Sequence, residues 1–453
     1  MSDRVRHVAI LGGGVAAAMT ALALARRIPG LEVIWVDTGV PDDSVEDVMG
    51  AARPSLGQFH RALGLDDGEL LRRTNCGSSL GTLVQGWPTR PFFRRHDRLP
   101  AGLSGVPLHL LWLRLPQGPE RPDWIDLASR ESEGAPPALS LDLDDYRSVL
   151  GALAKHTGIR RFVAASHDIE LDPGGSRIAA IHLPDGERVS ADLFLDATGP
   201  ARALRGRLTG GWIDWSSQLP TRTLSIRRLA PADRPKAHAR LVAEPDGWRL
   251  ETYLPRAMIA ITGRGSEAIP GEDEASPASH LSLSPGRLDV PFQANVVALG
   301  SAAAVPDAIG ATALHLLCRQ IERLIAYWPG RIPDPSEVAL YNRRSAMEAD
   351  RMRDFAQLHF LSSGRQSPFW RSANGSISEQ LSRDLSLFDA RGRLLPSDED
   401  GIGPDEWISA LIGLGHRPAQ RDALAQAVPL GVARQRIAAV RTGARMLDEE
   451  ELR

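Results

Sequence analysis

His7-Val8-Ala9-Ile10-Leu11-Gly12-Gly13-Gly14-Val15 is the stretch that decides the fold, because an apolar run leads directly into three glycines. An Ala- and Leu-rich segment continues to Arg27, and a second apolar run, residues 31–36, ends at Asp37. A strand, a tight turn, a helix and a second strand in this order are typical of the βαβ unit that binds dinucleotides. The sequence therefore predicts an α/β fold that contains a Rossmann-like domain.

Each position of this unit has a chemical reason. Gly12 makes the tight turn, and Gly14 lets the backbone approach a pyrophosphate. Unpaired N–H groups at Val15 and Ala16 then face the anion, assisted by the partial positive charge of the helix N-terminus. Asp37 lies where a carboxylate accepts hydrogen bonds from ribose hydroxyls. The alternative is a glycine-rich loop that binds nothing.

Composition excludes several classes of protein. Lys and Arg number 53 against 56 Asp and Glu, for a net charge of −3, which argues against a broad nucleic-acid surface. The two cysteines, Cys76 and Cys318, lie far apart, so neither a disulfide framework nor a metal site is expected. No apolar run approaches the ~20 residues of a membrane span, and no signal-peptide pattern precedes the first strand. We therefore expect a cytoplasmic protein with no membrane partner.

The chain is long for one hydrophobic core, so two or three subdomains are expected at 453 residues. Residues 1–330 are predicted to form a cofactor-binding domain with inserted β-rich substrate segments at about 85–140 and 205–285. Residues 331–453 are predicted to be mainly helical. One predicted strand ends in Asp196-Ala197-Thr198-Gly199, which is typical of flavoproteins but fits any strand followed by a turn.

The most specific pattern lies in residues 295–329, where an apolar strand and a glycine turn precede Thr312-Ala313-Leu314-His315-Leu316. Together with shorter segments in the same order, it resembles the flavin-dependent tryptophan halogenases. The shorter segments are 59–64, 80–87, 111–114, 341–342, 367–371 and 407–415. The resemblance implies an FAD-binding domain of the flavoprotein-monooxygenase type, a β-rich substrate domain and a C-terminal helical region.

The resemblance also implies a cofactor, a partner and a substrate class. Reduced FAD, supplied by a separate flavin reductase, reacts with O₂, and halide is converted to hypohalous acid, which travels through a tunnel to a small aromatic substrate. A lysine positions the oxidant or the substrate, and a glutamate handles the proton lost from the ring. Flavin contacts are implied, beyond the glycine turn, at Gly300, Ser301, Ile309, Thr312 and Ala313.

Three aromatic residues are candidates for substrate binding. Phe369 and Trp370 match the aromatic pair that sandwiches an indole in the family, and Trp112 is placed inside the substrate domain. Because aromatic side chains so often belong to the core, a hydrophobic anchor is the alternative for each of them.

Two positions depart from the family's chemistry. Ser79 falls on the lysine position and Gly310 on the glutamate position. A serine hydroxyl is neutral and cannot form a haloamine, and glycine offers only backbone groups. Each positioned acid–base group typically contributes about 10²–10⁴ in rate. The family's flavin-loop motif is also altered, since it reads Asp47-Val48-Met49-Gly50-Ala51-Ala52-Arg53-Pro54. Catalytic residues therefore stay unassigned.

These features favour an FAD-dependent oxidoreductase that acts on an aromatic or indole-like substrate without ordinary halogenation. The alternative is a non-catalytic homologue that binds flavin or another ligand. A halogenase with relocated catalytic groups ranks third, because lysine occurs only at Lys155 and Lys236. A nicotinamide dehydrogenase is disfavoured, and no dedicated NAD(P)H site is expected.

Overall fold

The computed structural model describes residues 4–41, 43–88, 90–130, 138–234, 236–265, 278–373, 375–395 and 401–443. In these ranges the strands are β1 (His7–Leu11), β2 (Glu32–Asp37), β3 (Gly77–Ser79), β4 (Gly81–Gln85), β5 (Phe92–Arg95), β6 (Ala138–Ser140), β7 (Arg160–Val163), β8 (Asp168–Leu171), β9 (Ile178–His182), β10 (Arg188–Val189), β11 (Leu193–Asp196), β12 (Trp212–Asp214), β13 (Thr223–Leu229), β14 (Ala239–Glu244), β15 (Gly247–Leu254), β16 (Ala257–Arg264), β17 (Ser279–Ser282), β18 (Gly286–Leu288), β19 (Phe292–Gln293), β20 (Val296–Ala298) and β21 (Ala304–Val305).

The α-helices in the same ranges are α1 (Val15–Arg27), α2 (Pro54–Ala62), α3 (Asp67–Arg73), α4 (Leu108–Arg114), α5 (Ile125–Ala128), α6 (Leu143–Ala154), α7 (Ala313–Ala326), α8 (Pro335–Leu361), α9 (Pro368–Arg371), α10 (Glu379–Arg391), α11 (Pro404–Gly413), α12 (Ala423–Ala427) and α13 (Leu430–Gly443). Short 3₁₀ segments occur at Val45–Asp47, Gly199–Ala201, Arg205–Arg207, Gly300–Ala302 and Ala308–Gly310.

A six-stranded sheet in the order β19-β20-β11-β1-β2-β7 forms the centre of the first subdomain. β1 pairs in parallel with β2 and β11, and β11 pairs in parallel with β20. These strands are buried along most of their length, which explains why they are continuous apolar runs rather than alternating ones. Their carboxyl ends share one edge, where open parallel sheets bind ligands.

The predicted strand–turn–helix unit is present at the centre of this sheet. Gly12 adopts a φ of 148°, a conformation that other residues rarely adopt, and its carbonyl accepts a hydrogen bond from Trp35 Nε1 at 2.8 Å. Residues 15–24 of α1 are buried, because the helix packs between the sheet and its neighbouring helices. The run of alanines lets these elements approach closely.

A seven-stranded, mostly antiparallel sheet lies in the second subdomain, in the order β17-β13-β16-β15-β14-β4-β5. β13–β16 and β12 fall in the expected β-rich segment 205–285, of which residues 266–277 lie outside the described ranges. Segment 85–140 is less β-rich than expected, because its described part holds β5 and β6 but also α4 and α5.

The helix α4 explains this difference. Residues 108–112 are apolar except for His109, and all of them are buried. Pro107 precedes this stretch at the N-cap position, and its fixed φ favours a helix start. Continuous burial against α13 and α12 thus suits a helix better than an alternating strand.

The C-terminal part of the chain is helical from α8 onwards in the described residues. The 27-residue α8 begins after Asp334, whose side chain accepts a hydrogen bond from Ser336 N. Phe355 of α8 and Trp407 of α11 stack edge to face, with centroids 5.0 Å apart, inside the largest hydrophobic cluster. α8 and α11 therefore close over the antiparallel sheet.

Among the described residues, no helix is both long and apolar enough to cross a bilayer. The same residues hold no group of three or more His, Cys, Asp or Glu suited to a metal ion. Cys76 and Cys318 are buried free thiols.

Candidate functional site

A cleft of about 530 Å³ lies beside the glycine turn. One wall is the segment that follows β2, including Asp47 and Gly50. A second wall is the start of α6, and the antiparallel sheet supplies Ile226 and Ile259. This position, next to the carboxyl edge of the parallel sheet, is where the sequence places a dinucleotide.

The anion-binding turn is occupied by a carboxylate of the chain itself. The backbone N–H of Val15 donates to Asp47 Oδ1 at 2.8 Å. A Cβ added at Gly14 would lie 2.2 Å from the other oxygen of Asp47, so the carboxylate touches the turn directly. Arg147 Nη1 is 3.8 Å from Asp47 Oδ1 and partly balances its charge. The backbone N–H of Val15, which the sequence assigns to a pyrophosphate, is thus already hydrogen-bonded to Asp47.

A second carboxylate fills the neighbouring turn after β20. Glu46 accepts hydrogen bonds from Ser301 N at 2.8 Å and from the Ser301 hydroxyl. Gly300 has a φ of 60°, and a Cβ there would lie 2.2 Å from Glu46 Oε1. Burial raises the pKa of Glu46, and the hydrogen bonds from Ser301 oppose that rise. Of the two expected flavin contacts in this turn, Ser301 thus donates to Glu46, and the N–H of Gly300 donates to Gln320 Oε1 at 2.6 Å.

Asp37, the expected ribose acceptor, is also engaged within the chain. Its carboxylate accepts from Gly39 N and from Arg161 Nε, each at 2.8 Å. The Arg161 guanidinium lies over the Trp35 ring, 4.6 Å from its centroid. Both carboxylate oxygens thus have partners inside the protein.

The remaining expected cofactor residues lie at the start of α7. Ile309, Thr312 and Ala313 are all buried. The Thr312 hydroxyl has no hydrogen-bond partner among the described residues. The carbonyl groups of Gly310 and Ala311 accept hydrogen bonds from the Arg53 guanidinium, at 2.8 Å for Gly310.

These contacts test whether a flavin dinucleotide fits. The backbone of the glycine turn has the geometry for a pyrophosphate, and the adjoining cleft offers a large volume. Asp47, Glu46 and Arg161, however, take up the donors and the acceptor that the cofactor needs. In this conformation the residues present do not fit FAD.

The two positions that depart from the family's chemistry both lie in the protein interior. Ser79 is buried in β3, and its hydroxyl donates to Gly81 O at 3.2 Å. Gly81 pairs across the sheet with Arg95, next to Arg94. Gly310 is bonded by Arg53, as described above. Arg53 belongs to a buried ionic cluster.

The ionic cluster consists of Arg53, Arg94 and Glu406. Arg53 makes a bidentate contact with Glu406, with nitrogen–oxygen distances of 2.8 and 3.0 Å. Arg94 Nε lies 3.6 Å from Glu406, and Arg94 Nη1 donates to His359 Nε2 at 2.8 Å. All three charged residues are at most 4% exposed. Two cations therefore face one carboxylate in the protein interior.

Burial and charge together set the ionisation of this cluster. Burial alone would raise the pKa of Glu406, but Arg53 and the neighbouring cations lower it to about 2. Burial lowers the pKa of Arg94 to about 10 and that of His96, His315 and His359 to about 3. Near neutral pH the histidines are uncharged, and Glu406 is ionised.

Sequence reasoning missed Arg53 and Glu406 as interior residues. They are 353 positions apart, and nothing in the local pattern pairs them. One signal was present in the sequence. Arg53 lies inside the altered flavin-loop motif, immediately before Pro54. A buried arginine is costly unless an opposite charge or a hydrogen-bond acceptor pairs with it.

The predicted substrate aromatics pack in the core. Trp370 is 1% exposed, and its Nε1 donates to Glu244 O at 2.9 Å. Phe369 and Trp87 stack against it edge to face, at centroid distances of 5.1 and 5.7 Å. Trp112 stacks on Trp124 at 5.2 Å. The described lining of the cleft contains none of the three, and their role in substrate binding stays a prediction.

Comparisons with known proteins agree over nearly the whole chain. The family model for tryptophan halogenases matches residues 7–430. The tryptophan 6-halogenase of Streptomyces toxytricini is 22% identical, with 97% of this chain and 95% of the relative covered. A flavin-dependent halogenase from Xanthomonas campestris superimposes with a TM-score of 0.89 at 25% identity, covering 97% of this chain and 94% of that one. One from Brevundimonas sp. BAL3 gives 0.86 at 26% identity, covering 97% and 95%.

Proposed function

Because the chain belongs to the tryptophan halogenase family, we propose that it is an FAD-dependent oxidoreductase that uses O₂ to oxidise an aromatic or indole-like substrate. Reduced FAD comes from a separate flavin reductase, and the protein has no NAD(P)H site of its own. The observation that carries the proposal is the cleft of about 530 Å³ beside the glycine turn, within a fold shared with flavin-dependent halogenases. When bound, FAD would supply the electrons that activate O₂.

The lining of the cleft is mixed. Ile226, Ile259 and Leu141 offer apolar surface, while Arg147 and Arg228 lie at its edge and pair with Asp144 and Asp142. Clefts of about 300–1,000 Å³ are typical of cofactor sites. FAD enters this cleft only after Glu46 and Asp47 release the two turns.

Ordinary tryptophan halogenation is not part of the proposed function. Ser79 supplies no ammonium group, and Gly310 supplies no carboxylate. The charged residues near Gly310 are Arg53 and Glu406, which bind each other rather than an open channel. The loss of two positioned groups, at about 10²–10⁴ each, lowers any halogenation by several orders of magnitude.

The test supplies the full chain with FAD, a flavin reductase, NADH, indoles and bromide or chloride. Products are identified by mass spectrometry, with a reaction lacking the protein as the control. A product that has gained oxygen supports the proposal. A brominated or chlorinated product at an ordinary rate contradicts the argument from Ser79 and Gly310.

A second candidate function is that of a non-catalytic homologue that binds flavin or another ligand. The observation favouring it is that Val15, Ser301 and Asp37 already have partners inside the chain. Under this alternative, the same assay gives no product, while oxidised FAD or an indole binds at micromolar concentration. Calorimetric titration with each ligand separates the two candidates.

We also propose a cytoplasmic location without a nucleic-acid partner. The near balance of 53 basic and 56 acidic side chains supports this, since broad nucleic-acid surfaces are strongly basic. Fractionation of cells that express the tagged full chain tests the location.

A further inference from the structure

We propose that the 3₁₀ segment Val45–Asp47 is a built-in competitor for the pyrophosphate of FAD, so that cofactor binding requires this acidic segment to leave the glycine turn. The inference rests on the proposed function, because it concerns the regulation of the same cofactor site. We call Val45–Asp47 the acidic plug.

A pyrophosphate bound at this turn needs the same backbone N–H donor that Asp47 already occupies. A phosphate at a helix N-terminus accepts hydrogen bonds from the exposed backbone N–H groups and is favoured by the helix dipole. Asp47 accepts from Val15 N, at the first position of α1, at 2.8 Å. An aspartate oxygen and a phosphate oxygen cannot occupy the same place at that donor.

The plug is held by hydrogen bonds at two turns. Glu46, the residue before Asp47, accepts from both the backbone N–H and the hydroxyl of Ser301. Glu46 and Asp47 therefore connect the turn after β1 to the turn after β20, across the carboxyl edge of the sheet. Consecutive residues on one short segment would release both turns in a single movement.

The charge of the plug also disfavours a bound pyrophosphate. Two carboxylates lie where the fold would otherwise place an anion, and the nearby cation Arg147 also pairs with Asp144. Like charges at contact distance in a buried site repel strongly. A Cβ added at Gly14 or at Gly300 would lie 2.2 Å from Asp47 or Glu46, which leaves no room for a phosphate beside them. The plug and the pyrophosphate thus exclude each other.

The experiment measures the dissociation constant for FAD in four single variants of the full chain. Asp47→Asn and Glu46→Gln remove the charge of the plug, while the amide oxygen still accepts the backbone hydrogen bond. The controls Asp123→Asn and Glu32→Gln remove the same charge from exposed side chains, 59% and 64% exposed, which pair with Arg90 and His7. Circular dichroism melting checks that each variant folds.

We expect Asp47→Asn and Glu46→Gln to bind FAD about tenfold tighter or more than the unaltered chain, which corresponds to about 1.4 kcal/mol. The two controls should match the unaltered chain. Equal affinities for all five proteins overturn the inference and leave the flavin function standing. Absence of FAD binding in every protein, including Asp47→Asn, overturns both.

A second measurement needs no variant and therefore does not depend on folding of a mutant. Amide hydrogen exchange of residues 44–50 is followed in the unaltered chain, with and without FAD at millimolar concentration. Displacement of the plug should speed exchange at Val48 and Met49, whose N–H groups bond to Val45 O in the plugged form. Unchanged protection at saturating FAD overturns the inference.

Discussion

Two regions differ in how they are built: the glycine cradle, which is the turn at residues 12–14 with the turn at residues 300–301, and the buried interior around Arg53, Arg94 and Glu406. In the cradle the backbone is kept, and two carboxylates of the acidic plug satisfy its donors. In the interior, Arg53, Arg94 and Glu406 form a closed ionic cluster. One short segment satisfies the cradle, whereas the interior cluster joins three distant parts of the chain, so we expect the cradle to be the adjustable region and the interior the fixed one.

The largest expected effect is a loss of stability in acid, which arises from buried histidines of the interior. His96, His315 and His359 have pKa values near 3 in the folded chain, against about 6.5 unfolded. The unfolded state therefore binds more protons between these values, so acidification lowers the free energy of unfolding. Buried carboxyl groups oppose this: burial raises the pKa of Asp307 to about 6 and also raises that of Glu46, so their protonation favours the folded state. Glu406, with a pKa near 2, loses its contribution only at more acidic pH, below about 4.5.

Between pH 6 and pH 4.5 the three histidines together lower the free energy of unfolding by up to about 4 kcal/mol per pH unit before the opposing carboxyl groups act, and urea unfolding should show a net loss. His359→Gln should reduce that slope by about 1.4 kcal/mol per pH unit, because one titrating group is removed. A free energy of unfolding that stays constant over this range would show that the interior histidines are not buried as described.

The next effect tests whether the interior is fixed. Glu406→Ala leaves Arg53 and Arg94 buried without their carboxylate, and should lower the free energy of unfolding by about 3–5 kcal/mol. The control Glu120→Ala removes an exposed partner of Arg434 and should cost less than about 1 kcal/mol. Urea unfolding at neutral pH measures both. Similar small losses for the two variants would mean that the ionic cluster contributes little.

A smaller effect concerns the aromatic pair expected to bind substrate. Trp370→Phe removes the hydrogen bond to Glu244 O and some packing against Trp87, and should cost about 1–3 kcal/mol in stability. The predicted substrate role requires indole affinity, measured by calorimetry, to fall in the same variant, whereas a purely structural role leaves it unchanged. The matched variant Trp112→Phe loses its hydrogen bond to Pro122 O in the same way. Weaker indole binding without a loss of stability would place Trp370 in the substrate site.

The smallest effect lies in the cradle. Ser301→Ala removes the hydroxyl that donates to Glu46 but keeps the backbone donor, so stability should fall by only about 1 kcal/mol. FAD affinity should rise less than in Asp47→Asn. Ser386→Ala, on the exposed face of α10, is the control and should change stability by no more than about 0.5 kcal/mol. A loss of several kcal/mol at Ser301 would show that the plug is as fixed as the interior.

Much of the fold was predictable because its signals are local. The apolar run before Gly12 and the helix after Gly14 follow from side-chain periodicity and from the backbone freedom of glycine. Family membership followed from ordered motifs, and the family comparison confirms it. Segment 85–140 was less well predicted, since the choice of helix for residues 108–114 depended on packing against α13.

The sequence by itself determined the βαβ unit, the family and the replacements at Ser79 and Gly310. Only the tertiary structure decided that Asp47 caps α1 from 32 residues away and that Arg53 meets Glu406 across 353 residues. The physical reason is that a charged side chain carries no local signature of its partner. Its partner is chosen by which opposite charge or backbone donor the fold brings within about 3 Å once water is excluded.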